Sequence, residues 1–270
     1  MRRIATIVVV ASALALSDGR STLADRLVAG YEIDWKGLEI GAFEAELTTT
    51  TTSYRLSYRA RTAGMLGWLF PFESEGWSEG TRADDQPMAR HYQASSRWRD
   101  GGGDWGVSFA PDGRADRIEV PAEELAERDP VPAQLAVAPD PLTLILEAAG
   151  AAGPGVRLSG TSFDGKRALR FELACGDEMV RVALTRTDDG EHAALICSAT
   201  GELAAGASRR WHDRHADEGE ERPPAKVWLG RDILEDGYWP VRVEIDTEYG
   251  TVIARLIKLE PASATSANSP

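Results

Sequence analysis

Between Tyr54 and Arg61 the side chains alternate in character: Tyr54, Leu56, Tyr58 and Ala60 carry rings or aliphatic groups, while Arg55, Ser57, Arg59 and Arg61 are polar. A helix would scatter both sets around its circumference. In a strand successive side chains point to opposite sides, so each set occupies one face and one face can be buried. The same period begins at Tyr31, Ile33 and Trp35, with Glu32, Asp34 and Lys36 between them, and Gly37 reads as a turn. The pattern then changes parity, because Leu38 and Ile40 are even while Phe43, Ala45 and Leu47 are odd. A bulge at Gly41 that re-aims the strand accounts for the change. The threonine run Thr48 to Thr52 joins or extends two strands, since threonine is a strand former.

Further strand-like runs follow at Gly76 to Arg82, Met88 to Arg99, Trp105 to Phe109 and Arg117 to Val120. Gly101-Gly102-Gly103 and Pro111-Asp112-Gly113 read as the turns between them. The period switches once. Asp140 can cap a helix, Pro141 suits its first position, and Leu142, Ile145, Leu146 and Ala149 share a helical face, which predicts one short helix over about 141–150. Strands resume at Val156 to Ser162, pass through an Asp164-Gly165 turn to Leu169 to Cys175, and continue at Val180 to Leu184 and Ala193 to Ser198. Val227 to Leu229, Val241 to Ile245 and Val252 to Leu259 close the series. The expectation is an all-β fold: an antiparallel meander forming a strongly bent sheet, a half-barrel or spiral, with the short helix plugging its concave side. Residues 25–260 form one β-rich domain, the charged stretch His212 to Pro224 a solvated loop, and 261–270 a loose tail.

Arg2 and Arg3, the uncharged apolar run Ile4 to Leu16 and the small residues around Ala24 have the order of a secretory signal peptide, residues 1–24, cut after Ala24. A cut after Ala15 is the weaker alternative. The apolar run is too short for the roughly 20 residues that a spanning helix needs, and no cysteine stands near either cut to carry a lipid. The mature chain is therefore expected to be soluble in the periplasm, without a transmembrane segment. Loss of three arginines and one aspartate with the leader takes the formal charge from −13 to −15. So acidic a surface disfavours nucleic acid and polybasic membrane attachment. In an exported chain the two cysteines, Cys175 and Cys197, are expected to form a disulfide. If they lay on the first and third strands of a meander they would be about 10 Å apart, so one must sit in a turn or the strand order must differ.

Several short pieces, in order, resemble a bacterial exported family known as domain of unknown function 3108: Tyr31-Glu32-Ile33 with Gly37-Leu38 and Gly41, Asp140-Pro141-Leu142, Phe163-Asp164-Gly165-Lys166-Arg167, Cys197 followed by Gly206, and Val227-Trp228-Leu229 with Pro240-Val241-Arg242. They span nearly the whole mature chain. The resemblance implies a periplasmic, β-rich envelope protein without an assigned activity, and it brings no catalytic residues.

The candidate chemical groups read as structural. His212 and His215 beside Asp213 and Asp217 lack a third ligand at motif spacing. His91 and His192 are lone residues in strands, and Asp84-Asp85 and Asp188-Asp189 fall in turn-rich stretches. Gly160 to Asp164 lacks the Gly-x-Ser-x-Gly elbow, and the Gly101 to Gly103 run opens no helix that could cradle a phosphate. No catalytic, metal or cofactor-binding residue is assigned, and no cofactor is expected. Trp98 and Trp105 are expected in the core. Met65, Leu66, Trp68, Leu69, Phe70 and Phe72 differ, because six large apolar side chains broken by Gly67 and Pro71 cannot all turn inward from one strand. They form either a rim that meets a lipid-like ligand or an envelope protein, or a flap folded over the core. Two function classes remain: a non-enzymatic module binding an apolar ligand or partner protein, and a hydrolase-type enzyme with an unrecognised cleft.

Overall fold

The computed structural model describes residues 25–83, 86–99, 101–183, 191–209, 223–234 and 237–261. The alternating segments form β1 (Asp25–Trp35), β2 (Leu38–Thr49), β3 (Ser53–Thr62), β4 (Phe72–Ala83), β5 (Gln86–Trp98), β6 (Gly101–Phe109) and β7 (Ala115–Glu119). The second half contributes β8 (Arg157–Phe163), β9 (Ala168–Ala183), β10 (Glu191–Ala205), β11 (Ala225–Leu234), β12 (Gly237–Thr247) and β13 (Gly250–Pro261). Among the described residues three helices interrupt them, α1 (Gly64–Leu69), α2 (Ala122–Ala126) and α3 (Pro141–Ala151).

All 13 strands belong to one antiparallel sheet in the order β7-β6-β5-β4-β3-β2-β1-β13-β12-β11-β10-β9-β8. The chain lays down two meanders and joins them along its first and last strands, with Leu27 opposite Pro261 and Trp35 opposite Val252. Side chains seal this seam. Asp34, buried, pairs with Arg255, and the Tyr31 hydroxyl donates to the Pro240 carbonyl at 2.7 Å.

The sheet cannot be flat. The helix α3 touches β3, β4, β5, β8 and β12, and β5 and β8 are ten places apart in the strand order. A flat sheet would separate them by about 48 Å at the usual strand spacing. The 11 residues of α3 extend only about 16 Å, so the sheet wraps around the helix. The β8–β9 turn closes the wrap from the other direction. Gly165 lies so near β6 that a Cβ there would stand 2.8 Å from the Gly106 carbonyl oxygen, so only glycine fits. Beside it, the Lys166 ammonium sits 3.4 Å from the centroid of the Trp105 ring and 2.9 Å from Glu124, and Arg128 meets the same carboxylate at 3.1 Å.

The concave face is filled by the chain itself. Tyr31, Leu56, Tyr92, Val107, Val241 and Leu256 from the sheet pack with Leu142 of α3, Phe163 and Ala138, and with partly buried Val120, Val131 and Leu146. A second cluster, Leu173, Leu195, Cys197, Leu229 and Tyr238, lies under β9 to β12. On the convex face the alternate residues pair across strands, as in Arg55 with Glu79 at 2.5 Å and Arg59 with Glu75 at 3.0 Å.

Some expectations need correction. Among the described residues three short helices are present where one was expected, because the apolar run after Thr62 coils into α1 and Pro121 opens α2. Gly101 to Gly103 are not a turn but the start of β6, paired with Trp98 to Ser96. Leu169 to Cys175 and Val180 to Leu184 are not two strands, since Gly176 and Asp177 continue β9 as far as Ala183. The bulge near Gly41 falls one residue earlier: Ile33 faces Gly41 and Asp34 faces Glu39, which leaves Ile40 unpaired. Residues 1–24, 210–222 and 262–270 lie outside the described residues.

Candidate functional site

The apolar rim is built on α1, between β3 and β4. No side chain caps its start; the helix is held by backbone groups instead. Ala63 N–H donates to the Ile40 carbonyl at 3.0 Å, and Gly67 lets the helix lie directly on β3, since a Cβ there would stand 3.1 Å from the Thr62 carbonyl oxygen. At the other end the Thr62 hydroxyl donates to the Phe70 carbonyl and accepts from Phe72 N–H, both at 3.0 Å. The Arg99 guanidinium donates to the Trp68 and Leu69 carbonyls at 3.1 and 2.8 Å, satisfying helix-end acceptors.

Because main-chain bonds hold the helix, its large side chains need not turn inward. Met65 and Trp68 are each 78% exposed, Phe70 67% and Leu69 38%. Leu66 and Phe72 are half-buried. Phe72 stacks on Trp98 with ring centroids 5.3 Å apart, and Trp98 is 56% exposed, so it extends the rim rather than filling the core as expected. Trp105 is buried, as expected. Behind the helix an open cleft of about 420 Å³ is lined by Arg61, Arg97 and Arg99 with Phe72 and Trp98, and Glu73 is the one carboxylate in that lining.

The buried carboxylates Asp140 and Asp164 are committed to the scaffold. Asp140 caps α3: its Oδ1 accepts from the N–H groups of Leu142 and Thr143 at 2.9 and 3.0 Å, and its Oδ2 from the Ser78 and Thr143 hydroxyls at 2.8 and 2.5 Å. Tyr54 joins through Thr143 at 2.5 Å. Burial pushes its phenol up to about 12. Asp164 accepts from the backbone of Lys166 and Arg167 and from the Arg167 guanidinium, which fixes the β8–β9 turn. Burial holds Lys166 below its usual value, opposed by Glu124. For Glu124 itself burial acts upward, but the Lys166 and Arg128 cations outweigh it.

The remaining candidates do not converge. His91 stacks on Trp77 at 5.0 Å and meets the Ser108 hydroxyl at 3.1 Å. His192 stands in β10 opposite Val182. Asp84-Asp85, Asp188-Asp189, His212, Asp213, His215 and Asp217 lie outside the described residues. Among the described residues no group of three His, Cys, Asp or Glu could hold a metal ion, and no helix is long and apolar enough to cross a membrane. A groove of about 530 Å³ runs over the convex face of β2 to β6. Its charges are largely paired already, Arg59 with Glu75, Arg97 with Asp104 and Arg26 with Glu46.

The family model described as "Protein of unknown function (DUF3108)" matches residues 30–257, from within β1 to within β13 and therefore across the seam and the whole sheet. The chain belongs to the DUF3108 family. None of the curated proteins matches it. Among solved structures, a beta-barrel-like protein of domain of unknown function DUF1849 from Brucella abortus aligns with a TM-score of 0.43 at 11% identity, covering 90% of this chain and 99% of that one.

In this DUF3108 protein Cys175 and Cys197 stand at disulfide distance, with 2.07 Å between sulfurs. They are directly opposite in the β9–β10 ladder, next to a register shift between Leu195 and Cys197. The separation feared from sequence disappears because β9 is one long strand beside β10. Reading the residues missed two features of the DUF3108 rim, Trp98 and Arg99. Alternation alone places Trp98 on the inner or outer face by parity with Tyr92, Ala94 and Ser96, all buried. It could not show that β5 outruns the core at that end.

Proposed function

We propose that this protein is an exported, non-enzymatic envelope component that binds an apolar ligand or a partner protein through the α1 rim. The observation that carries this reading is the exposure of Met65 and Trp68 on α1 and of Phe70 at its C-terminal end, on a helix whose own backbone contacts already secure it. Soluble domains rarely group large apolar side chains at the surface without a binding role. The filled concave face supports placing the contact outside the wrap, and the commitment of Asp140 and Asp164 to capping and turn bonds leaves neither poised for acid or base work. The periplasmic assignment rests on the leader-like order of residues 1–24 and is supported by a cysteine pair at disulfide distance. The test is to purify the protein from its own periplasm, sequence its N-terminus and record native mass spectra of the wild type and of a Trp68→Ser, Phe70→Ser double variant. A start at Asp25, with an apolar species or partner present on the wild type and lost from the variant, is expected. A start at Met1, or the same bound species on both proteins, contradicts the proposal.

A further inference from the structure

Resting on that reading of the rim, we infer that its occupant is a phospholipid bilayer surface: Met65, Trp68, Leu69 and Phe70 enter the interface while Arg61, Arg97 and Arg99 face headgroup phosphates. Shape is the first argument. The four side chains stand out from a short helix and the residue that ends it rather than lining a cavity, so a single acyl chain would find no enclosure, whereas a planar interface can cover them together. Their types suit that place, because tryptophan sits at the headgroup level and phenylalanine, leucine and methionine reach the acyl boundary.

Charge is the second argument. The chain carries a formal charge of −13, yet the cleft behind α1 is lined by three arginines against one glutamate. Arg97 is shared with Asp104 at 2.9 Å, and Arg99 is held at the helix end by the Trp68 and Leu69 carbonyls. Arg61 is exposed. Guanidinium groups bind phosphate oxygens in bidentate fashion, and at physiological ionic strength charges beyond roughly 8 Å are largely screened, so the local balance, three arginines against Glu73 and the Asp104 that meets Arg97, governs contact more than the acidic remainder. The Phe72–Trp98 stack adds apolar surface to the lining of the same cleft.

The experiment is vesicle flotation with the wild type and three variants, Trp68→Ser, Phe70→Ser and Arg61→Gln, each checked for an unchanged far-ultraviolet spectrum and melting temperature. Vesicles are phosphatidylethanolamine with phosphatidylglycerol, or phosphatidylcholine alone, and binding to dodecylmaltoside micelles is measured in parallel. The expected result is flotation of the wild type, stronger with phosphatidylglycerol. Partitioning should fall roughly tenfold or more in each rim variant, consistent with removing one buried apolar side chain from an interface. Arg61→Gln should weaken binding to the anionic vesicles and leave binding to phosphatidylcholine nearly unchanged. A wild type that floats with neither vesicle overturns the bilayer inference. If rim variants nonetheless lose micelle binding or capture of a protein, the rim still binds and only its occupant is misassigned. Micelle binding and flotation that do not depend on Trp68 or Phe70 overturn both readings.

Discussion

Burial pushes the Asp140 carboxyl above its usual value, against two backbone N–H groups and two hydroxyls that favour the charged form. A carboxyl whose pKa is higher folded than unfolded contributes stability that is fully present below the unfolded value, near 4, and lost as pH rises through the folded value. Asp140→Asn removes this dependence while keeping an oxygen that can cap α3. The variant should therefore gain stability relative to the wild type as pH rises from about 4 into the neutral range, in urea titrations at several pH values. A wild-type-minus-variant difference that is flat with pH would show that burial does not dominate at this carboxyl. Asp140→Ala should cost about 2 kcal/mol, because it removes the cap and leaves buried donors without an acceptor.

Among the elements, α3 was legible because three local signals agree: a capping aspartate, proline at the first position and apolar residues on one face. No such agreement marks α1, which has no side-chain cap and owes its form to backbone contacts with β2 and β3 that sequence cannot display. The alternation of β3 was read correctly because one face is buried and the other paired with glutamates of β4. Gly101 to Gly103 suggest a turn, and Leu169 to Cys175 and Val180 to Leu184 read as two strands, yet the glycines of both stretches lie in strands where neighbouring pairing decides the conformation. The β9–β10 ladder carries its own test. A bond between Cys175 and Cys197 closes a loop with a sequence separation of 22, for which chain entropy gives roughly 3 kcal/mol. Denatured protein should show no thiols without reductant and two with it, and reduction should lower stability by about that amount. Two thiols under both conditions would mean the sulfurs meet without bonding.

At the scale of the molecule, the first strand sits at the centre of the sheet and the last strand pairs beside it, so neither meander has its full complement of neighbours until the ends meet. The helix α3 and the β8–β9 turn then occupy the interior, which removes the concave face as a binding surface and leaves the α1 end, where apolar side chains project. On the proposed reading the interior serves stability and the rim serves binding. Alanine at Trp68 and at Phe70, measured for melting temperature and for capture of ligand or partner on the same preparations, separates these roles most directly. The melting temperature should stay within about 2 °C of the wild type while capture is lost, because an exposed side chain contributes little to folding. A drop of roughly 6–12 °C in both variants, as expected from about 3 kcal/mol for a buried aromatic, with capture per folded molecule intact, would return the segment to the core and contradict a binding rim.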